Sequence, residues 1–101
     1  MTGDPTPTAR LGVVAREWSL VLSRTSLPAG SAVVELQNQG EDAHNLRIER
    51  LDGSGDRTDV PLAESGEVQS VQATLAAGDY KIYCALPGHE AAGMRATFSV
   101  R

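Results

Sequence analysis

Apolar and polar residues alternate along this chain in short runs, and each run ends at residues that favour a turn. In Glu17-Trp18-Ser19-Leu20-Val21-Leu22 the alternation sets Trp18, Leu20 and Leu22 on one face. Ser31 to Gln39 alternates around Val33, Val34 and Leu36, after a Leu27-Pro28-Ala29-Gly30 turn. His44 to Leu51 runs through Leu46, Ile48 and Arg50. Glu67 to Leu75 carries Val68, Ser70, Gln72 and Thr74 on one side and Val71, Ala73 and Leu75 on the other. Asp79 to Cys84 and Met94 to Val100 form a final pair, with Tyr80, Ile82, Ala96, Phe98 and Val100 facing inward. Each run reads as a strand.

No window sustains a capped helical period, so little helix is expected. The best helical candidate is the short run Val60-Pro61-Leu62-Ala63-Glu64. Many short strands divided by Gly, Pro and Asp predict an all-β domain, a β-sandwich with Greek-key connections. Asp52-Gly53-Ser54-Gly55-Asp56 reads as a flexible surface loop. In Ala77-Gly78-Asp79-Tyr80 a glycine stands two residues ahead of a tyrosine entering a strand, the pattern of a tyrosine corner. An ordinary strand tyrosine is the alternative. Either way it stiffens the strand that delivers Cys84.

With 101 residues the chain makes one domain. At that size roughly 65% of the unfolded surface is buried, enough for a single core without staples. The single cysteine excludes an intrachain disulfide. A net charge of −4, with acids and bases interspersed, argues against a nucleic-acid face and a polybasic membrane contact. No apolar run approaches the roughly 18 residues that a spanning helix needs. Residues 1–10 read as a polar Thr/Pro-rich spacer, of the composition that joins an upstream anchor or signal to a domain. The domain is expected over 11–101.

The candidate chemistry lies in the rarest residues. His44, Cys84, His89 and Met94 are, apart from Met1, every soft metal ligand in the chain. Two imidazoles, a thiolate and a thioether make the donor set of a blue-copper electron-transfer site, where three strong donors are joined by a weak, long axial sulfur. Cys84 ends one strand and Met94 opens the next, so His89 falls in the loop between them. Fully extended, the step from Cys84 to His89 would span roughly 17 Å, so the loop must double back. Leu86-Pro87-Gly88 supplies that turn, because proline fixes φ and glycine accepts positive φ; Gly93 offers the same freedom before Met94. His44, opening a strand after a polar turn, is placed to complete the set.

Each of these residues has a blander reading. A lone cysteine is most often a small buried hydrophobe, a lone histidine a surface or structural residue, and Met94 alone core filler. Cys84 and His89 also suit a thiolate–imidazole nucleophile, but no oxyanion-donor motif or orienting acid accompanies them. Zinc is a second competitor, yet zinc sites rarely recruit a thioether. The four together favour copper.

The chain resembles the cupredoxins, the small blue-copper family of plastocyanin, azurin, auracyanin and halocyanin. The resemblance rests on Asn38-Gln39-Gly40-Glu41-Asp42-Ala43-His44-Asn45-Leu46, on Ala77-Gly78-Asp79-Tyr80 and on the loop from Tyr83 to Met94. It implies a sandwich of about eight strands with one copper near one end. It further implies that His44, Cys84 and His89 are equatorial ligands and Met94 the axial one. By the same resemblance, the Asn45 amide ties the first ligand strand to the cysteine loop. The spacing Cys-x4-His-x4-Met is one residue longer after the histidine than in azurin and two longer before it than in plastocyanin. It is closer to the auracyanin pattern. Azurin's disulfide and plastocyanin's acidic docking patch are both missing, so neither member's partner carries over.

The expected function is that of a monomeric one-electron carrier and not an enzyme. Its redox partners would dock briefly at an apolar patch formed by Leu86, Pro87, Ala91 and Ala92 around the exposed edge of His89. The alternatives are a copper-handling module, chaperone or store, and a type 1 copper domain of a larger oxidoreductase. The resemblance places such carriers in the periplasm or elsewhere outside the cytoplasmic membrane, often tethered.

Overall fold

The alternating runs become the strands of two sheets packed on one core. The structure, a computed structural model, describes residues 9–101. The strands are β1 (Ala9–Arg16), β2 (Ser19–Leu22), β3 (Ser26–Leu27), β4 (Gly30–Asn38), β5 (His44–Arg50), β6 (Thr58–Ala63), β7 (Val68–Leu75), β8 (Gly78–Tyr83) and β9 (Arg95–Val100). A single helical turn, α1 (His89–Ala92), precedes β9. One sheet has the order β2-β1-β4-β7 and the other β3-β9-β8-β5-β6. Nine strands among the described residues, one of them only two residues long, stand against the expected eight or so.

Period-two alternation decides which side chains fill the space between the sheets. Leu11, Val13 and Ala15 of β1 and Ala32, Val34 and Leu36 of β4 meet Leu46 and Ile48 of β5, Tyr80 and Ile82 of β8, and Phe98 and Val100 of β9 in one buried cluster. Each fully buried Leu or Ile contributes about 1.5–3 kcal/mol relative to an exposed one. Tyr80 and Phe98 stack at a ring-centroid distance of 5.4 Å. The tyrosine corner is present: the Tyr80 hydroxyl donates to the Ala76 carbonyl at 2.6 Å.

Several expectations are corrected. Val60-Pro61-Leu62-Ala63-Glu64 is not helical; Val60 to Ala63 end β6, an edge strand. Proline's missing N–H is tolerated there, where no further strand pairs, and the register against β5 shifts between His44 and Leu46 beside it. Trp18 does not share the inward face of Leu20. It sits in the turn between β1 and β2 and is 45% exposed. β1, ahead of the first expected strand, lies inside its sheet between β2 and β4, in parallel with β4. It runs from Ala9 to Arg16; residues 1–8 of the expected spacer lie outside the described residues. Among the described residues no helix is long and apolar enough to cross a membrane.

Candidate metal centre

Three neighbouring strands of one sheet deliver three of the candidate ligands. On β5 the inward row is His44, Leu46 and Ile48, so His44 is its terminal member. On β8 the row Tyr80, Ile82 runs on to Cys84, one residue past the strand. On β9 the row Val100, Phe98, Ala96 runs back to Met94, one residue before it. His44, Cys84 and Met94 are all fully buried. The β8–β9 pairing continues past Tyr83 and Arg95, because the Cys84 N–H donates to the Met94 carbonyl at 3.0 Å. The alternation that builds the core therefore also fixes the end-of-core position of these side chains.

His89 arrives from the connecting loop. Its N–H donates to the Leu86 carbonyl at 3.1 Å, closing the turn expected at Leu86-Pro87-Gly88. Gly88 at φ 81° then admits the helical turn, and Gly93 at φ 128° ends it. A side chain at Gly93 would also run into the Trp18 carbonyl, 2.7 Å from where its Cβ would lie. The Met94 N–H reaches back to the His89 carbonyl at 3.1 Å, so the main chain of Met94 is tied to both other loop ligands.

The three strongest donors converge. His44 Nδ1 lies 3.2 Å from His89 Nδ1 and 3.9 Å from Cys84 Sγ, and His89 Nδ1 lies 3.5 Å from that sulfur. The circumradius of a triangle with those sides is about 2.1 Å, close to the 2.0–2.1 Å of a metal–imidazole bond and the 2.3 Å of a metal–thiolate bond. Three such atoms gathered within 4.8 Å of one another around one point are spaced as ligands of a single cation. These residues fit a metal ion that prefers imidazole and thiolate, and Met94 is buried at the same end of the core. The expected quartet is thus brought to one end of the sandwich.

The surroundings hold the donors in place. Running the β5–β8 register two residues beyond Arg47 and Tyr83 would set Asn45 opposite Ala85. There the Asn45 side-chain carbonyl accepts the Ala85 N–H at 2.9 Å and lies 3.6 Å from Cys84 Sγ. Asn38, a buried amide, donates to the Asp42 and Ala63 carbonyls and accepts from the Gly40 N–H, which fixes the turn leading into His44. Of the expected patch, Pro87, Ala91 and Ala92 are exposed, while Leu86 is half-buried and packs against the core.

Two residues at the centre escape sequence reasoning. Glu17 Oε2 lies 2.5 Å from His44 Nε2, the ring nitrogen that faces away from the other donors. The same carboxylate accepts the Glu41 N–H at 2.7 Å and the Asp42 N–H at 3.3 Å. The Glu41 N–H foremost, then the bond to His44, pull its pKa down to about 2. Its neighbour Trp18 sets its ring edge-to-face against His89, with centroids 4.9 Å apart. Nothing in the local pattern pairs residues 17 and 18 with either histidine.

Comparison with known proteins follows the same lines. The family model for copper binding proteins of the plastocyanin/azurin family matches residues 19–101. Among solved structures the chain is similar to auracyanin B, at 25% identity and a TM-score of 0.75 over 98% of this chain and 93% of that one. It is also similar to auracyanin A, a blue copper protein of the green thermophilic photosynthetic bacterium Chloroflexus aurantiacus, at 19% identity and a TM-score of 0.69 over 91% and 98% of the two chains. A multicopper oxidase matches at 13% identity and a TM-score of 0.73, over 98% of this chain but 46% of the oxidase. No curated protein sequence matches.

Proposed function

The chain belongs to the plastocyanin/azurin family of copper-binding proteins, and from that premise we propose that it carries single electrons through one copper held by His44, Cys84, His89 and Met94. The observation that carries this reading is the triangle of two imidazole nitrogens and one cysteine sulfur closed around a shared point. When bound, copper supplies a one-electron couple. The protein's part is to hold donors acceptable to both oxidation states in a frame that does not rearrange. Each donor is fixed by structure outside itself: His44 and Cys84 by strand ends, His89 by a closed turn, and Met94 by main-chain bonds to both sides. Adding copper(II) to the purified chain should give an intense visible band, with a copper(II) EPR signal of one spin per chain. Voltammetry should then show a reversible one-electron wave. A colourless complex, or one reduced irreversibly, overturns the reading.

A copper chaperone or store needs donors that exchange readily. The full burial of Cys84, His44 and Met94 argues against that alternative. A type 1 copper domain of a larger oxidoreductase has one observation in its favour, the likeness to a multicopper oxidase. The mass of the protein isolated from its source distinguishes it from a free-standing carrier. An extracytoplasmic location is part of the proposal, supported by the family alone.

The redox partner is proposed to dock at the loop around His89. Pro87, Ala91 and Ala92 are exposed there, and the Trp18 ring lies against the imidazole, an apolar surface where sandwich-end loops are ordinarily polar. A small apolar face suits a brief encounter that excludes water near the ring edge. Ala92 stands one helical turn from His89, on the same side of α1. Ala92→Lys puts a hydrated charge into the patch while leaving every donor and the packing of Leu86 in place. Electron self-exchange should slow severalfold, with spectrum and potential unchanged. Wild-type rates in that variant would move the electron's exit to another face.

A further inference from the structure

The His44 ring is fully buried and its two nitrogens face opposite tasks. Nδ1 joins the triangle, and Nε2 meets the Glu17 carboxylate at 2.5 Å. That carboxylate reaches across the sandwich, from the β1–β2 turn of one sheet to the first residue of β5 in the other. Its seat is built: the N–H groups of Glu41 and Asp42 point at its two oxygens, and its side chain is only 20% exposed. Gly40 is part of the seat, because a Cβ there would overlap the carboxylate itself. Among the described residues no lysine or arginine pairs with Glu17, so its charge is directed at the imidazole and two main-chain donors.

We propose that Glu17 is a positioning residue of the electron-transfer site, holding His44 with its proton on Nε2 and its Nδ1 lone pair free for copper, and biasing the couple toward copper(II). The inference rests on the copper reading of the centre. A neutral imidazole carries one N–H, and an ionised carboxylate can only accept, so the pair places the proton on Nε2. Leaning on that proton makes the ring a stronger donor, as outer carboxylates do for metal-bound histidines. A stronger donor, with a negative charge behind it, favours the doubly charged ion over the singly charged one. Glu17 therefore lowers the reduction potential through His44 without touching the metal.

The test uses Glu17→Gln and Glu17→Ala in the full chain, with two readouts. In the copper-free protein, the nitrogen chemical shifts of His44 should show a single Nε2–H tautomer in the wild type and a mixture, or the other tautomer, in both variants. In the copper-loaded protein, the ratio of copper(II) to copper(I) affinity should fall about tenfold or more, a rise in potential of about 59 mV per tenfold. A purely structural strut would lower the melting temperature and leave both readouts alone. A blue wild type whose variants keep the tautomer and the potential overturns the role of Glu17 and spares the copper reading. A wild type that binds no copper(II) overturns both.

Discussion

Replacing Cys84 by serine is expected to remove the visible charge-transfer band completely while the domain stays folded. The colour needs a thiolate, because it arises from sulfur donating to copper(II), and this chain has only one cysteine. The fold survives the change: Cys84 is buried at the very end of the Tyr80, Ile82 row, one residue past β8, and serine keeps nearly the same volume while the Leu, Val and Ile side chains that join the sheets stay in place. Burying a hydroxyl without a partner costs about 1–3 kcal/mol. Here the Asn45 carbonyl that now faces the sulfur at 3.6 Å remains as an acceptor and offsets part of that cost. Visible absorption after copper(II) addition, with circular dichroism and thermal melting of the copper-free form, separates the two effects. An intact band in the serine variant would falsify the ligand assignment.

The centre was legible in the sequence to the extent that its residues are rare. One cysteine, two histidines and one internal methionine leave few ways to assemble a soft donor set, and the strands carrying them alternate clearly. The Leu86-Pro87-Gly88 turn was readable because proline and glycine restrict the backbone locally. The tyrosine corner was readable for the same reason, since its bond spans only four residues.

What was not legible depends on contacts between distant parts of the chain. Glu17 meets His44 across 27 positions, and nothing about a glutamate ahead of a tryptophan announces an outer partner for an imidazole. Trp18 looked inward because its spacing to Leu20 and Leu22 is that of a strand; the strand begins only at Ser19, which frees the ring for His89. β1 was hidden for a different reason. Its row of Ala9, Leu11, Val13 and Ala15 mixes small residues with large ones, and Gly12 and Val14 blur the contrast between faces. Pro61 misled in the other direction, because on an edge strand it breaks no ladder.

Met94→Gln and Met94→Leu are expected to move the reduction potential in opposite directions. Met94 is fully buried, with its N–H on the His89 carbonyl and its own carbonyl on the Cys84 N–H, so its main chain is fixed and a replacement side chain starts from the same buried position. Glutamine offers a harder oxygen, which favours copper(II) and lowers the potential; leucine offers no donor and raises it. A tenfold change in the ratio of affinities for the two oxidation states corresponds to about 59 mV, and each variant should move by about that much or more. Stability gives an independent check. Leucine for methionine is nearly volume-conserving and should cost under about 1.5 kcal/mol. A buried glutamine amide without a partner costs about 1–3 kcal/mol in the copper-free protein. If its oxygen binds the metal, part of that loss returns when copper(II) is added, since a ligand that binds only the folded state raises its stability. If Met94 were core filler, the glutamine penalty would be the same with and without copper and the three potentials would coincide. Voltammetry of the three proteins, with melting of the copper-free and copper-loaded forms, decides between a ligand and a packing residue.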